Sequence, residues 1–303
     1  MEVFVTGASG FVGRALCKGL LKAGHVVTAL SRSSESAARL PRGVGFVLGD
    51  PTRPGPWQEE AARHQGFVNL AGTSIFGRWT EDHKRSILRS RLGSTRNLVQ
   101  AVAARRGQPT VLLSASAVGY YGSRGDEELD ETAPAGEGFL ARVCRRWEEE
   151  AGAAADFGAR VVCCRLGIVL GRGGGALEQM LPWFRRGLGG RLGSGRQWFS
   201  WVHLADVVAA AIFCLENAGV KGAVNFTAPR PVTNRQFTRA LAHALGRPAF
   251  LPVPALAIRL MLGEFGSVLL EGQRAVPARL LAEGFNFRFP HLEDALAELV
   301  GRS

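Results

Sequence analysis

Through residue 170 the chain alternates short, β-branched apolar runs with longer stretches in which apolar positions recur at helical spacing. That alternation predicts βαβ units feeding a parallel sheet. The apolar runs are Glu2 to Thr6, His25 to Ser31, Val44 to Leu48, Gly66 to Leu70, Thr110 to Ala115 and Arg160 to Leu166. The helical stretches between them are Phe11 to Ala23, Glu81 to Arg105 and Phe139 to Phe157. Strands that are apolar throughout, rather than at every second position, belong to a sheet covered on both faces. Beyond Leu166 the texture changes, and Leu170 to Gly175 and Gly187 to Gly195 read as glycine-rich loops around a helix from Ala176 to Arg186. A helix from Leu204 to Glu216 and a strand from Ala223 to Thr227 then return to the main pattern. From Thr233 onward the pattern is helical, with Pro248, Pro252, Pro254, Pro277 and Pro290 limiting each helix to a few turns. The predicted fold class is α/β, a doubly wound parallel sheet built by residues 1–170 and rejoined by 200–228. Residues 171–199 and 229–303 are expected to make a smaller, mostly helical unit on the substrate side.

Composition narrows the function classes. Apolar residues make up 46% of the 303 positions and charged residues 21%, and no stretch approaches the ~20 uncharged apolar residues of a membrane-spanning helix. No membrane role is expected. The start, Met1-Glu2-Val3-Phe4-Val5-Thr6-Gly7, has neither a basic nor an apolar leader region, so a cytoplasmic location is expected. Cys17, Cys144, Cys163, Cys164 and Cys214 are odd in number and lack the spacing of a zinc or redox motif, which predicts reduced, buried thiols and no metal. A net charge of +11 would ordinarily point to nucleic acid. Here 33 of the 37 basic residues are Arg and they form no concentrated stripe, so nucleic acid is set aside and a small molecule is the expected partner.

The first strand runs directly into Thr6-Gly7-Ala8-Ser9-Gly10-Phe11-Val12-Gly13, a G-x-x-G-x-x-G turn that opens the first helix. Gly7 permits the tight turn, Gly10 lets backbone approach a pyrophosphate, and Gly13 allows close packing of helix on strand. The helix N-terminus then offers unpaired N–H groups to phosphate. The second strand ends Leu30-Ser31-Arg32-Ser33-Ser34, with no acid before Glu35. A carboxylate there would hold a ribose 2′-hydroxyl and repel a 2′-phosphate, whereas Arg32 flanked by Ser31 and Ser33 suits the phosphate, so NADP(H) is the predicted cofactor. Asp50, after the third strand, has two open readings: acceptor for the adenine amino group, or initiator of a turn before Pro51.

Together with Asn69-Leu70-Ala71-Gly72 and Ser114-Ala115-Ser116-Ala117-Val118-Gly119-Tyr120-Tyr121-Gly122, the glycine turn resembles the extended form of the short-chain dehydrogenase/reductase superfamily. More closely, Arg78-Trp79-Thr80, Ser90-Arg91, Phe139-Leu140-Ala141, Trp147-Glu148, Trp201-Val202-His203 and Leu270-Glu271-Gly272-Gln273 resemble an atypical subgroup. Its members are described as NAD-dependent epimerase/dehydratase-like, or as cell-division inhibitors, and carry a C-terminal domain of unknown function. The resemblance implies a Rossmann domain with NADP(H) in the crevice at the carboxyl ends of the strands. The cofactor positions it implies are Gly7, Ser9, Gly10, Phe11, Val12, Ser31, Arg32, Asp50, Leu70, Ala71, Gly72, Arg91, Ser114 and Gly167. It further implies an oxidoreductase or epimerase and a possible homodimer through the two long helices.

Typical members of that superfamily combine a Ser, a Tyr and a Lys four residues after the Tyr. The Tyr moves a proton, the Lys lowers its pKa, and the Ser orients the carbonyl. Ser116 fills the Ser position, but where Tyr and Lys belong the resemblance places Phe139 and Val143. The only phenols are Tyr120 and Tyr121, which either donate a proton from their loop or pack against neighbouring helices. His203 has a titration range suited to proton transfer, with Asp206 placed to orient it; the alternative reading is a capping or buried hydrogen-bond pair at the helix start. Arg91 either holds a substrate anion or lies on a solvated face. The 171–175 glycines, with Arg172, Arg186, Arg191 and Arg196 and the aromatics Trp183, Trp198, Phe199 and Trp201, would suit a lid over an anionic or planar ligand. Two functions follow: an NADP(H)-dependent oxidoreductase or epimerase on a small, anionic metabolite, or a non-catalytic NADP(H)-binding sensor that partners another macromolecule.

Overall fold

The computed structural model describes residues 1–301. Its main sheet has seven strands: β1 (Glu2–Thr6), β2 (Val26–Ser31), β3 (Gly45–Leu48), β4 (Gly66–Asn69), β5 (Val111–Ala117), β6 (Arg160–Leu166) and β7 (Gly222–Phe226). They lie in the order β7-β6-β5-β4-β1-β2-β3, every pair parallel. The order reverses between β1 and β4, and in an open α/β sheet the ligand crevice lies at such a switch point, beyond the carboxyl ends of the strands.

The helices are α1 (Phe11–Lys22), α2 (Ser34–Ala37), α3 (Trp57–Ala61), α4 (Glu81–Ala103), α5 (Phe139–Gly152), α6 (Gly175–Arg185), α7 (Leu204–Glu216) and α8 (Asn234–Leu245), followed by four short ones toward the C-terminus. Strand alternation sorts them onto two faces. Val3 and Val5 of β1 join Leu16 and Leu20 of α1 and Val207 and Ala211 of α7 in one buried cluster. Phe4, between them, points the other way to Trp57 of α3, Leu98 of α4 and Ala151 at the end of α5. A third cluster joins α6, the strand residues Phe199 and Trp201, α8 and the last helix, Leu292–Val300, so these C-terminal elements share a core of their own.

The predicted strands all form, with boundaries shifted by at most two residues. Two differences bear on the site. β5 continues to Ala117, so Ser116 belongs to the strand itself, and the helix expected over Phe139 to Phe157 ends at Gly152 and gives way to a 3-10 turn, Ala153–Phe157. Arg160, at the start of β6, terminates α7 from the side: its guanidinium donates to the carbonyls of Cys214 (2.8 Å), Leu215 (2.8 Å) and Val220 (2.7 Å), supplying donors that a helix end lacks. All five cysteines are buried and unpaired, as expected. Among the described residues no helix is long and apolar enough to cross a membrane.

The tightest joint in the sheet is at the glycine turn. A Cβ on Gly13 would lie 2.2 Å from the Gly7 carbonyl oxygen and 2.7 Å from Ala8 Cα, so α1 would have to leave β1 to admit it. We expect Gly13→Ala to lower the unfolding free energy by about 3 kcal/mol, the cost of overpacking against backbone that cannot yield. Gly152→Ala, at a helical position with nothing within 4 Å, should leave stability unchanged or raise it slightly. Urea titrations followed by circular dichroism check both.

Candidate functional site

At the carboxyl end of β1, Gly7 has φ +72°, and a Cβ there would stand 2.5 Å from the Leu70 carbonyl carbon and 2.8 Å from Ala71 N. The loop after β4, Leu70 to Gly72, therefore closes directly onto the turn. Gly10 is exposed and is the N-cap of α1; no side chain caps the helix and no acid occupies its first turn. The first N–H groups of α1 are thus left to an anion. Beneath the crevice the turn is pinned by a chain of bonds: Thr6 Oγ1 donates to Asn69 Oδ1 (2.7 Å), and Asn69 Nδ2 and Trp147 Nε1 both donate to Thr95 Oγ1 (2.8 and 2.9 Å). Ser114, on β5, keeps a buried hydroxyl with no partner among the described residues.

At the end of β2, Arg32 is exposed and in no ion pair among the described residues, while its serine neighbours are partly committed. Ser31 Oγ donates to the Ser33 carbonyl (3.0 Å), and Ser33 Oγ caps α2 by accepting from Ser36 N (3.2 Å). Asp50 Oδ1 accepts from Thr52 N and Thr52 Oγ1 (2.9 and 2.8 Å), which is the turn-initiating geometry. Burial works against its charge, but those bonds and the nearby Arg53 and Arg32 hold its carboxyl below the usual range. The donor set of glycine turn, free helix N–H groups, unpaired Ser114 hydroxyl and unpaired Arg32 fits a phosphorylated dinucleotide.

Several expected side chains are placed differently. Arg91 is not on a solvated face. Its guanidinium donates to Thr73 O (3.0 Å) and Ile87 O (3.2 Å), lies 5.1 Å from the Trp147 ring centre, and fills the space beside Gly72; burial lowers its pKa. The 171–175 loop is no open lid, because Cβ atoms on Gly171, Gly174 or Gly175 would each stand within 3 Å of the Phe11 ring. Phe11's side chain is thereby taken up in packing, leaving only its backbone for the cofactor. Val12 lies half-buried beside Leu16 and Leu70, Ser9 is half-buried, and Gly167 is held to glycine by the Ser200 carbonyl, 2.4 Å from where a Cβ would be. Of the supposed lid aromatics, Phe199 and Trp201 are core residues, Trp198 Nε1 donates to Asp126 (2.7 Å), and Trp183 alone is 56% exposed.

The sequence reasoning missed the dominant feature of the region, a buried polar cluster joining β5, β6, β7 and α5. Arg165 on β6 donates Nε and Nη2 to the two oxygens of Glu148 on α5, 2.9 Å each. Ser116 Oγ donates to Glu148 Oε1 at 2.6 Å. Arg165 Nη1 donates to the Tyr121 hydroxyl (2.9 Å), which donates to Asn225 Oδ1 on β7 (2.7 Å). Burial lowers the Arg165 pKa, but the hydrogen bonds and charge of Glu148 more than offset this, and it lies above the ordinary range. Burial pushes Tyr121 up to about 12, which with its two fixed partners removes it from proton transfer near neutrality. Tyr120 differs: its ring rests 3.5 Å over the Arg165 guanidinium, it is half-buried, and its hydroxyl has no partner among the described residues. An arginine inside the otherwise apolar run Val161 to Leu166 was the available signal, since a buried guanidinium must have a partner.

The face that α5 turns toward Ser116 also differs from expectation. Leu140 packs on Gly119, Glu148 takes the Ser116 proton, and the Cys144 thiol lies between them near Ser116 and the Ala117 backbone, a helical i, i+4, i+8 stripe. Phe139 and Val143 instead join Trp79, Ile87 and Phe265 on another side of the helix. Leu140 and Cys144 therefore occupy the places expected for Phe139 and Val143; burial pushes the thiol up to about 11. Nor does Asp206 orient His203. Asp206 accepts from Arg288 N (2.8 Å) and Phe289 N (3.0 Å), while His203 Nδ1 caps α7 by accepting from Ala205 N (3.0 Å) and its Nε2 faces Glu298 at 3.3 Å. Burial lowers the His203 pKa, so the ring is neutral near pH 7 and both nitrogens are engaged.

The model of the NAD dependent epimerase/dehydratase family matches residues 3–226, and that of DUF1731, a domain of unknown function, matches 253–299. The chain is 40% identical to the chloroplastic homolog of epimerase family protein SDR39U1 from Arabidopsis thaliana, covering 99% of this chain and 87% of that one. It is 37% identical to epimerase family protein YfhF of Bacillus subtilis, over 99% and 98% of the two chains. The crystal structure of human epimerase family protein SDR39U1 with NADPH is similar with a TM-score of 0.86 at 36% identity, covering 99% of each chain. With its parallel sheet and glycine turn inside the matched residues 3–226, this chain belongs to the NAD dependent epimerase/dehydratase family.

Proposed function

We propose that this chain binds NADP(H) along the Gly7–Gly13 turn and acts as an oxidoreductase or epimerase on a small molecule in the adjoining crevice. Arg32, in no ion pair among the described residues, supports preference for the 2′-phosphate, and Ser114 and the α1 N–H groups would hold polar parts of the cofactor. When bound, the nicotinamide supplies a hydride donor or acceptor. The observation that carries the reading is the pair of hydroxyls beside Arg165. Ser116 spends its only proton on Glu148, so its lone pairs are left to accept from a substrate O–H and fix the reacting carbon. Tyr120, the one phenol without a partner among the described residues, is the group assigned to give or take the proton at that oxygen. Glu148 and Arg165 act through Ser116 and Tyr120 as positioning residues.

A second reading is favoured by one specific observation. The α5 face opposite Ser116 carries Leu140 and Cys144, neither of which holds a positive charge near a phenol or a ribose. On that reading the chain binds NADP(H) without turnover and signals its presence to a partner.

Three expected outcomes test these statements. Arg32→Glu should weaken NADPH binding on the order of 10- to 100-fold while leaving NADH affinity nearly unchanged, measured by calorimetry, because charge-assisted bonds to phosphate are lost. Oxidation of NADPH against a library of carbonyl metabolites, followed by absorbance, should find turnover in wild type that falls by roughly 10²–10⁴-fold in Tyr120→Phe. Tight NADPH binding with no turnover on any compound would favour the second reading. Glu148→Gln leaves Arg165 buried with no counter-charge, and urea unfolding should show a loss of about 3 kcal/mol.

A further inference from the structure

Helix α8 carries Arg235, Thr238 and Arg239 at positions three and four apart, hence on one face, and that face lines a cavity of about 500 Å³. Arg191, from the 187–195 glycine loop, and Phe250 complete its wall. Three guanidiniums around one cavity repel one another, and among the described residues none of them forms an ion pair. Two are held side by side by a single acceptor: Arg191 Nη1 and Arg235 Nη2 both donate to the Ser194 carbonyl, at 2.8 and 3.1 Å. Arg191 Nη1 also reaches the Gly193 carbonyl at 3.3 Å, while the other guanidinium nitrogens of Arg191 and Arg235 have no acceptor among the described residues. Thr238 is only 3% exposed, lines the cavity, and its hydroxyl makes no hydrogen bond among the described residues. Phe250, 75% exposed, gives the rim one apolar face.

We propose that this cavity is a binding site for a phosphorylated small molecule, its phosphate oxygens held by Arg191, Arg235, Arg239 and the Thr238 hydroxyl, and its less polar part resting on Phe250. The planar guanidinium fork matches two phosphate oxygens at once, which a single ammonium or a carboxylate-lined pocket does not. The space is half open to solvent, and its volume is in the range of small-ligand pockets. None of its residues belongs to the glycine turn or to the Ser116 cluster. The proposal therefore stands apart from the function proposed above.

The test uses full-length protein saturated with NADPH, so that the dinucleotide cleft cannot take the probe. Pyrophosphate is titrated by calorimetry at fixed ionic strength, with citrate as a polyanion lacking phosphate. Saturable pyrophosphate binding is expected, weakened about tenfold or more in Arg239→Ala and about threefold in Thr238→Val, the usual difference between losing a charged and a neutral hydrogen bond. NADPH affinity should be unchanged in both variants. No heat from pyrophosphate overturns the proposal, as does wild-type affinity in Arg239→Ala. Citrate binding as tightly as pyrophosphate would reduce the site to a charge effect and overturn the phosphate assignment. Loss of NADPH binding in Arg239→Ala would place that residue in the dinucleotide cleft and overturn the claim of a separate site.

Discussion

The cleft is organised around one buried ion pair. Arg165 and Glu148 have side chains 4% and 13% exposed, and a charge removed from water to that degree is tolerated only when its partner and its remaining donors are all satisfied. Here they are. The two charges meet in a bidentate contact, the spare Nη1 goes to Tyr121, and the second lone-pair set of Glu148 takes the Ser116 proton. Each of those partners sits on a different element, so satisfying one arginine fixes β5, β6, β7 and α5 relative to one another. Networks of this kind gain specificity from being complete, because any slip of one strand would strand a charge. Asn225 extends the constraint further: its Nδ2 donates to Val276 O at 2.9 Å, binding the segment after residue 270 to the sheet.

The other organising contact is steric. Gly7, Gly13 and the Leu70–Ala71 backbone leave no room for a Cβ between β1, α1 and the loop after β4, whereas Gly10 is exposed. Two of the three glycines in the motif are therefore accounted for by protein against protein, and only Gly10 looks outward. The same logic recurs where Phe11 enters the 171–175 loop: three glycines lie against one aromatic ring, so the loop is clasped to the start of α1. A glycine run is flexible only when nothing occupies the space its side chains vacate, and here something does.

That distinction explains what was legible in the sequence. The sheet, its order of elements and the dinucleotide turn depend on local signals, apolar runs of strand length and glycines at a fixed offset, and the structure places all of them within a residue or two. The side-chain geometry of the site depends on rotation about helix axes and on contacts 17 to 104 residues apart, such as Arg165 with Glu148 and Tyr121 with Asn225. One residue of helical register is 100°, enough to replace Phe139 and Val143 by Leu140 and Cys144 opposite Ser116. Asp206 and His203 show the same limit. Three residues apart, they look like a pair, yet each has a better partner brought in from the C-terminal segment, Glu298 of the last helix for His203 and the backbone of Arg288 and Phe289 just before it for Asp206.

The substitutions on α5 set the terms for any chemistry in the crevice. With a leucine and a buried thiol facing Ser116, no cation on that helix can stabilise an ionised phenol, and the positive charge nearest a tyrosine ring comes instead from the sheet, through Arg165 beneath Tyr120. That guanidinium is already committed to Glu148, so its field at the ring is that of a partly neutralised pair and weaker than an isolated cation would give. Any proton donor resting on that guanidinium would therefore act through its position rather than through an added charge.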